Sequence, residues 1–329
     1  MISFWAVALF LITGAAGFIG SSLARGLLER QHQVRGIDNL ATGRAENITD
    51  LKGKLDLREA SLLDDAALAE ACRGVDYVLH QAAIPSVPRS VADPVASNQA
   101  NVDGTVNLLV AARDAKVKRV VYAASSSAYG ETPTLPKRED MTPSPISPYA
   151  VAKLAGEMYM TSFYRCYGLE TVSLRYFNVF GPHQDANSQY SAVLARFITL
   201  MLRGEAPTVF GDGEQSRDFT FVENVVQANL LAATVPPDGV AGRVFNIAAG
   251  HRVTLNLIFQ LLKKLTGYSG DMRYEPARAG DIKHSQADIS AAQKHLGYRV
   301  VVDFEEGLRR TVEWYRHQVG AKTVAGKPA

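Results

Sequence analysis

The 329-residue chain is 47% hydrophobic and 21% charged with a formal net charge of +2, enough to build a sizeable core and too balanced to offer a nucleic acid or an anionic membrane surface a polybasic handle. Cys72 and Cys166 form no Cys-x-x-Cys spacing, which argues against a disulfide framework or a thiolate zinc site, so no metal is expected and the expected location is a reducing cytoplasm. The length suits one large two-lobed domain or two domains.

From the N-terminus, Ile2 to Ile12 is almost continuously apolar. It lacks a basic flank and is too short to span a bilayer, and it runs directly into Gly14, so it predicts a buried first strand rather than a signal-peptide core. Gly14, Gly17 and Gly20 follow at three-residue spacing, and helical periodicity resumes from Ser21 to Leu28, giving strand, tight turn and helix. In such a turn Gly14 bends the chain, Gly17 leaves room for a pyrophosphate, and Gly20 lets the helix pack on the strand. The anion then meets the free N–H groups of the first turn, at Phe18 and Ile19. The glycines alone also fit an ordinary Gly-rich turn. What decides for a dinucleotide is the next strand, Gln33 to Ile37, which ends in Asp38, about 20 residues on, where a carboxylate takes the adenosine ribose hydroxyls. Asp38 would also repel a 2′-phosphate, so the cofactor is read as NAD rather than NADP. Asn39, Leu40 and Gly43 lie in the polar stretch that wraps the adenosine end.

Leu55 to Ala60 reads as a short strand, with Ser61 and Leu62 after it and a helix start at Asp64 and Asp65. Val75 to Ala83 is another strand, whose small end residues Ala82 and Ala83 let the backbone sit against a cofactor. Val95 to Lys116 reads as one long helix carrying Asn101, and Arg119 to Ala124 as a strand opening into Ser125, Ser126 and Ser127. This alternation predicts an α/β fold with a doubly wound parallel sheet and ligands beyond the strands' C-terminal ends. After a proline-punctuated loop, Ser147 is placed to cap a helix with Pro148 at its first position. Tyr149 and Lys153 then share a helix face, roughly 5–6 Å apart at Cβ. The strand Glu170 to Tyr176 completes a nucleotide-binding half, residues 1–177. Residues 178–329 loosen into a smaller substrate lobe, with the helix 223–234 and the strand 243–247, near 218–248, returning to the first half. The tail from Lys322 to Ala329 lacks apolar periodicity and is expected to fray.

A phenol with an ordinary pKa near 10 is a poor base unless positive charge favours the phenolate. Lys153, one turn away, and a nicotinamide cation would supply it, so Tyr149 is the expected proton acceptor from a carbinol, with Ser125 bridging substrate oxygen and tyrosine. An ordinary helix face is the alternative; the glycines, Asp38 and the strand-ending serines weigh against it.

The chain resembles the extended short-chain dehydrogenase/reductases and, among them, the UDP-hexose 4-epimerases, most closely the subgroup acting on UDP-N-acetylglucosamine. The likeness runs through Thr13-Gly14-Ala15-Ala16-Gly17-Phe18-Ile19-Gly20, Ser147-Pro148-Tyr149-Ala150-Val151-Ala152-Lys153, Leu174-Arg175-Tyr176-Phe177-Asn178-Val179-Phe180-Gly181-Pro182 and Ser216-Arg217-Asp218-Phe219. It implies retained NAD, abstraction of the sugar 4-hydroxyl proton by Tyr149, and a 4-ketose that turns about its diphosphate before the C4 hydrogen returns on the other face. It further implies that Arg217 and Arg278, the latter beside Asp281, clamp the diphosphate, that Asn178 faces the sugar or its first phosphate, and that Tyr176 packs by the nicotinamide, with surface ion pairs to Asp218 or Asp281, a capped turn and core filling as the respective alternatives. Ser285 stands where enzymes restricted to UDP-glucose carry a bulky tyrosine, and the segment His80 to Ser90 is similar to the acetylated-sugar subgroup. The substrate is therefore expected to be UDP-N-acetylglucosamine or UDP-N-acetylgalactosamine, with Ser86, Ser127 and Ala192 as further pocket contacts. The resemblance also implies a homodimer built from the 95–116 and 150–167 helices.

Two departures stand out. Ser61 and Leu62 replace an adenine-contacting aspartate, and His80 at a strand end reads as a packed core residue rather than an acid or base. Among rivals, a sugar 4,6-dehydratase needs an acidic pair where Ser126 and Ser127 stand, decarboxylation ranks lower, and a silent NAD-binding protein would lose Tyr149 or Lys153, both of which are present.

Overall fold

The computed structural model describes residues 7–186, 193–277 and 283–325, those from 320 on as backbone only. Its centre is a parallel seven-stranded sheet, and the strand order follows from how the chain feeds it. The first run is β1 (Leu9–Thr13), α1 (Phe18–Glu29), β2 (Gln33–Asp38) and β3 (Leu55–Glu59), then α2 (Asp65–Cys72). The second is β4 (Tyr77–His80), α3 (Val87–Ala92), α4 (Pro94–Asn98), α5 (Gly104–Asp114), β5 (Arg119–Ser125), α6 (Pro148–Tyr167) and β6 (Glu170–Tyr176). The sheet order β11-β6-β5-β4-β1-β2-β3 puts the two runs back to back. Strands β2 and β3 are added on one side of β1 and β4 to β6 on the other, and this switch in strand order between β1 and β4 opens the crevice where α/β sheets take their ligands.

The chain continues through β7 (Val179–Phe180), α7 (Val193–Leu202), β8 (Thr208–Phe210), β9 (Ser216–Arg217), β10 (Thr220–Phe221), α8 (Val222–Thr234) and β11 (Arg243–Ile247). It ends with β12 (Val253–Thr254), α9 (Leu255–Thr266), β13 (Arg273–Glu275), α10 (Ser290–Leu296) and α11 (Phe304–Ala325). β11 re-enters the main sheet beside β6, Phe245 opposite Leu174, and α8 packs with α1 on the same side. One face of the sheet is sealed by α1, α8 and α10 over Phe10, Ile12, Leu79 and Phe245. The other is sealed by α2, α5 and α6 over Leu11, Val78, Val120 and Tyr122. A third core, around Phe180, Phe197, Phe219, Phe259 and Leu308, belongs to the second lobe, and Phe18 at the start of α1 packs against it.

The helix expected over 95–116 is two helices joined by a π-turn at Gln99–Asp103, and its last turn ends at Asp114. The entry is fixed by Asp93, whose carboxylate accepts the Ala96 N–H at 3.0 Å, with Pro94 at the first helical position. Inside the π-turn the Asn101 side chain is drawn to the backbone of Ile84 rather than left outward. The expected fraying from Lys322 is not where the backbone helix stops, since α11 propagates to Ala325; residues 326–329 lie outside those described.

Candidate active site

Because every strand of the sheet runs the same way, Thr13, Asp38, His80, Ser125 and Tyr176 all finish at one edge. There Gly14 turns the chain at φ +68°, and a Cβ on it would come within 2.8 Å of Ala82 Cα, so the first turn and the Ala82–Ala83 segment lie in contact. Gly20 is tighter still: a Cβ there would meet Gly14 O at 2.0 Å. Gly17 serves as N-cap of α1 and provides no side-chain hydrogen bond, which leaves the first-turn N–H groups, at Phe18 and Ile19, to an incoming anion.

Asp38 is buried behind this turn. Its Oδ2 accepts the Ala16 N–H at 2.9 Å and its Oδ1 the Leu40 N–H at 2.8 Å, while Gly43 backs onto the carboxylate. Two of the roughly four acceptor positions of a carboxylate are thus used, and the rest suit ribose hydroxyls. Neighbouring Asn39 caps its own turn through Ala41 N at 3.1 Å. An uncapped helix start, a cradle closed to any Cβ and a buried carboxylate at the next strand tip together fit a dinucleotide.

Ser61 closes the turn after β3 by accepting the Leu63 N–H, and the Leu62 carbonyl takes the Asn107 side chain at 3.3 Å. Three sequence-predicted contacts are engaged inside the protein. Asn101 accepts the Ile84 N–H at 2.8 Å and donates back to the Ile84 carbonyl, so its side chain braces the loop. Ser86 caps α3 through Arg89 N at 3.1 Å. The Tyr176 hydroxyl sits in a polar triangle, accepting from Asn229 at 2.8 Å and donating to Gln81 at 3.2 Å, while Gln81 donates to Asn229 at 3.2 Å. His80 is a core residue as expected, with its ring nitrogens on Thr13 Oγ1 at 2.7 Å and Thr105 Oγ1 at 2.9 Å. Burial pulls its pKa down to about 3.

The candidate reacting groups come from β5 and α6. Ser147 accepts the Ala150 N–H at 3.2 Å and Pro148 opens the helix, so Tyr149 and Lys153 leave its first turns in one direction. Ser90 braces the start by accepting the Tyr149 N–H at 3.0 Å. Ser125 accepts from Ser127 Oγ at 2.9 Å and from the Ser127 backbone at 3.2 Å. Burial pushes the Tyr149 phenol above its ordinary value, and the Ser125 side chain works against that shift. Lys153, 3% exposed, donates to the Ala123 carbonyl at 2.9 Å. Burial pulls it down to about 8, with Glu157 opposing. The expectation assigns the charge that favours the phenolate to Lys153 and a nicotinamide cation together; among the protein's own groups, desolvation is the largest influence on Tyr149, so the cation's share of that task is the greater.

On the second lobe Asn178 adopts φ +35° and donates to the Asp218 carbonyl at 3.0 Å. Arg217 points one nitrogen at the Ser216 and Lys283 carbonyls, both at 3.1 Å. Asp218 is fully buried and accepts Ala249, Gly250 and Ala287 N–H groups at 2.9, 3.1 and 3.2 Å, so it is no surface partner. The strap carrying Ser285 is bound to β9, Ser285 N donating to Ser216 O at 3.0 Å. Ala192, Arg278 and Asp281 lie outside the described residues. Among those described, no cluster of three or more His, Cys, Asp or Glu could hold a metal, and no helix is long and apolar enough to cross a membrane.

Sequence reasoning missed Glu157 and Arg175, a buried ion pair behind Lys153. The signal was available: an acidic residue four positions after Lys153 on an inward helix face, and an arginine inside the apolar strand Thr171 to Tyr176.

Among curated proteins, the chain is 38% identical over 314 residues to the UDP-glucose 4-epimerase of Mycolicibacterium smegmatis, covering 94% of this chain and 98% of that one. It is 36% identical over 311 residues to a putative UDP-glucose 4-epimerase of Methanocaldococcus jannaschii, covering 94% and 99%. Among solved structures, the UDP-N-acetylglucosamine 4-epimerase of Methanobrevibacter ruminantium in complex with UDP-N-acetylmuramic acid superposes with TM-score 0.90 at 41% identity, over 95% of this chain and all 100% of that one. The NAD complex of Thermus thermophilus UDP-glucose 4-epimerase gives TM-score 0.84 at 36% identity, over 94% and 99%. Residues 10–248 match a family model that spans the sheet edge built above, and the chain belongs to the NAD dependent epimerase/dehydratase family.

Proposed function

We propose that the protein is a UDP-hexose 4-epimerase that retains NAD and favours the pair UDP-N-acetylglucosamine and UDP-N-acetylgalactosamine, working through a transient 4-keto sugar. The observation that carries this reading is the convergence of Ser125 from β5 with Tyr149 and Lys153 from α6, at the sheet edge that also bears Gly14 and Asp38. When bound, the dinucleotide supplies the hydride acceptor and donor for C4 and, in its oxidised form, positive charge beside the phenol.

The protein's own residues do the rest. Tyr149 takes the proton of the 4-hydroxyl and returns it, with Ser125 orienting that oxygen and Lys153 favouring the phenolate. Gly14, Gly17, Gly20, Phe18 and Ile19 hold the pyrophosphate, Asp38 with Asn39, Leu40 and Gly43 the adenosine ribose, Ser61 and Leu62 the adenine side, and Ala82, Ala83 and Tyr176 the nicotinamide side. Arg217, with Arg278 and Asp281, grips the substrate diphosphate, since guanidinium forks suit phosphate oxygens and stay charged. Asn178, Ser86, Ser127, Ala192 and Ser285 bound the sugar, which stays loose enough to turn over.

Preference for acetylated sugars rests on the small, half-buried Ser285 and on the likeness to the M. ruminantium enzyme. The UDP-glucose 4-epimerases among the relatives favour a second reading, UDP-glucose and UDP-galactose. Incubating purified protein with UDP-N-acetylglucosamine and with UDP-glucose separately, without added NAD, and following products by NMR separates the two. Turnover of glucose alone defeats the Ser285 argument, and turnover of neither defeats the epimerase reading.

A division into residues 1–177 and 178–329 belongs to this reading, with the return of β11 to the main sheet supporting an exchange of segments near 218–248. So does a homodimer. Val95, Val151 and Met158 are 66%, 52% and 55% exposed on α4 and α6, beside a groove of about 480 Å³ lined by Pro94, Val102, Ile146 and Ala155. Sedimentation at micromolar concentration tests the assembly. A cytoplasmic setting is the expectation that accompanies these substrates.

A further inference from the structure

Tyr149, Lys153 and Glu157 form a stripe at four-residue spacing on α6, and the third of them has no part in the scheme above. Glu157 is 1% exposed and Arg175 on β6 is 3% exposed. They are joined twice, Arg175 Nε to Glu157 Oε1 at 2.9 Å and Nη2 to Oε2 at 2.7 Å. The remaining guanidinium nitrogen, Nη1, has no hydrogen-bond partner, and the guanidinium carbon lies 4.6 Å from the centroid of the Tyr129 ring, whose hydroxyl donates to Asn246 at 2.7 Å. The carboxylate is therefore pinned from below by a residue that is itself pinned.

Lys153 needs such a partner. Among the described residues its ammonium donates to a neutral carbonyl, Ala123 O, and lies over the Tyr122 ring, with Nζ 4.9 Å from the ring centroid. A buried charge with no opposite charge in reach gives up its proton or its place. The titratable groups facing it are His80 from β4, kept neutral by burial, Tyr122 from β5, whose phenol burial pushes well up, and Tyr149 on its own helix. The charged groups acting on Glu157 are Arg175 and Lys153. Glu157, one helical turn along α6 and buried on the same face as Lys153, is the carboxylate placed to bear on the lysine.

We propose that Glu157, fixed by Arg175, is a positioning residue of the reaction: it supplies the counter-charge that keeps the Lys153 ammonium in place beside Tyr149. This rests on the reading of Tyr149 and Lys153 as the reacting pair. It deepens that reading by extending the machinery one turn along α6 and across to β6.

The test is Glu157→Gln, which keeps the shape and one acceptor for Arg175, with two readouts in the full-length protein. One is the pH profile of kcat for UDP-sugar epimerisation. The other is the titration of Lys153 by NMR of carbon-labelled lysine, its signal assigned by its loss in Lys153→Met. The wild-type lysine is expected to titrate at about 8. In Glu157→Gln both this midpoint and the alkaline limb of the profile are expected to fall by about one pH unit, so that the rate on that limb drops about tenfold against wild type. An unmoved midpoint, or a moved midpoint with an unmoved limb, overturns the proposal, whatever happens to stability. If Glu157→Gln does not fold, Arg175→Gln unbalances the pair from the other side: a shift of both readouts supports the proposal and no shift overturns it. A Tyr149→Phe enzyme at full rate would instead sink the reading of Tyr149, and the lysine titration would still decide the coupling.

Discussion

Replacing Gly20 by alanine sets two effects of opposite sign against each other in the first turn of α1. Alanine is the better helix former by about 1 kcal/mol. Against this, the new Cβ would stand 2.0 Å from Gly14 O and 3.0 Å from Ala15 Cα, so the turn must open by more than about 1 Å to restore ordinary contact. Overpacking of that kind costs about 1–3 kcal/mol, which leaves a net loss of about 0–2 kcal/mol and, at about 2 °C per kcal/mol for a chain of this size, a melting temperature lower by up to about 4 °C. The functional loss should be larger than the loss of stability. Gly14 O is the group that receives the Gly17 N–H at 3.0 Å, so pushing it away distorts the cradle itself. Purified Gly20→Ala protein, passed through gel filtration and then denatured to release bound nucleotide, is expected to yield clearly less NAD than wild type, since each loss of about 1.4 kcal/mol from the cradle raises the dissociation constant about tenfold. Full NAD content with an unchanged melt would refute the assignment of this turn as the pyrophosphate cradle.

Tyr149→Phe should lower kcat at least about a hundredfold while leaving the melting curve close to wild type, because only a proton-transfer group is lost; steady-state rates and a thermal scan decide it. Ser285→Tyr should cut kcat/KM for UDP-N-acetylglucosamine by about tenfold or more relative to UDP-glucose, and an unchanged ratio removes Ser285 from the sugar pocket. Asn246→Ala strands the Tyr129 hydroxyl and the Lys137 and Asp288 carbonyls, bonded at 2.7, 2.9 and 3.1 Å, and should cost about 3 kcal/mol in denaturant unfolding. A cost under about 1 kcal/mol would contradict that accounting. For Asp218, burial raises the carboxyl from 3.8 to about 6 in the fold, so the folded state binds the proton more tightly than the unfolded chain does. Its contribution to stability therefore improves as pH falls from about 6 to 3.8, and wild type should gain on Asp218→Asn across that window in melts at stepped pH. A constant gap would show the shift to be absent.

Much of the sheet edge was legible because each signal was local. Gly14, Gly17, Gly20 and Asp38 sit at fixed offsets in one strand-turn-helix-strand unit, and Ser147-Pro148-Tyr149 announces a helix start whose phase fixes Lys153. The bounds of β6 and β11 were readable for the same reason, as apolar runs between breakers. What the sequence left unread depended on partners that only the fold brings together. Asn101 looks like a free amide on a helix face until Ile84, 17 residues earlier, is folded against it. Ser86 reads as a pocket hydroxyl alone, and its second role, capping α3 through Arg89 N, shows only once that helix is seen to begin there. The π-turn at Gln99–Asp103 leaves no mark in apolar spacing, since it inserts irregularity without a proline or glycine break. Glu157 was overlooked because a lone acid in a helix reads as surface until Arg175 arrives from a strand on another part of the chain.

The re-entry of β11 has a consequence for anyone who would divide the molecule. A fragment ending near Asn178 would leave β6 as a raw margin of unpaired amides and carbonyls, and would strip α8 from the apolar side of α1. Such a piece invites strand-to-strand aggregation rather than standing alone, so the nucleotide half is completed only when the chain has already passed through the other lobe.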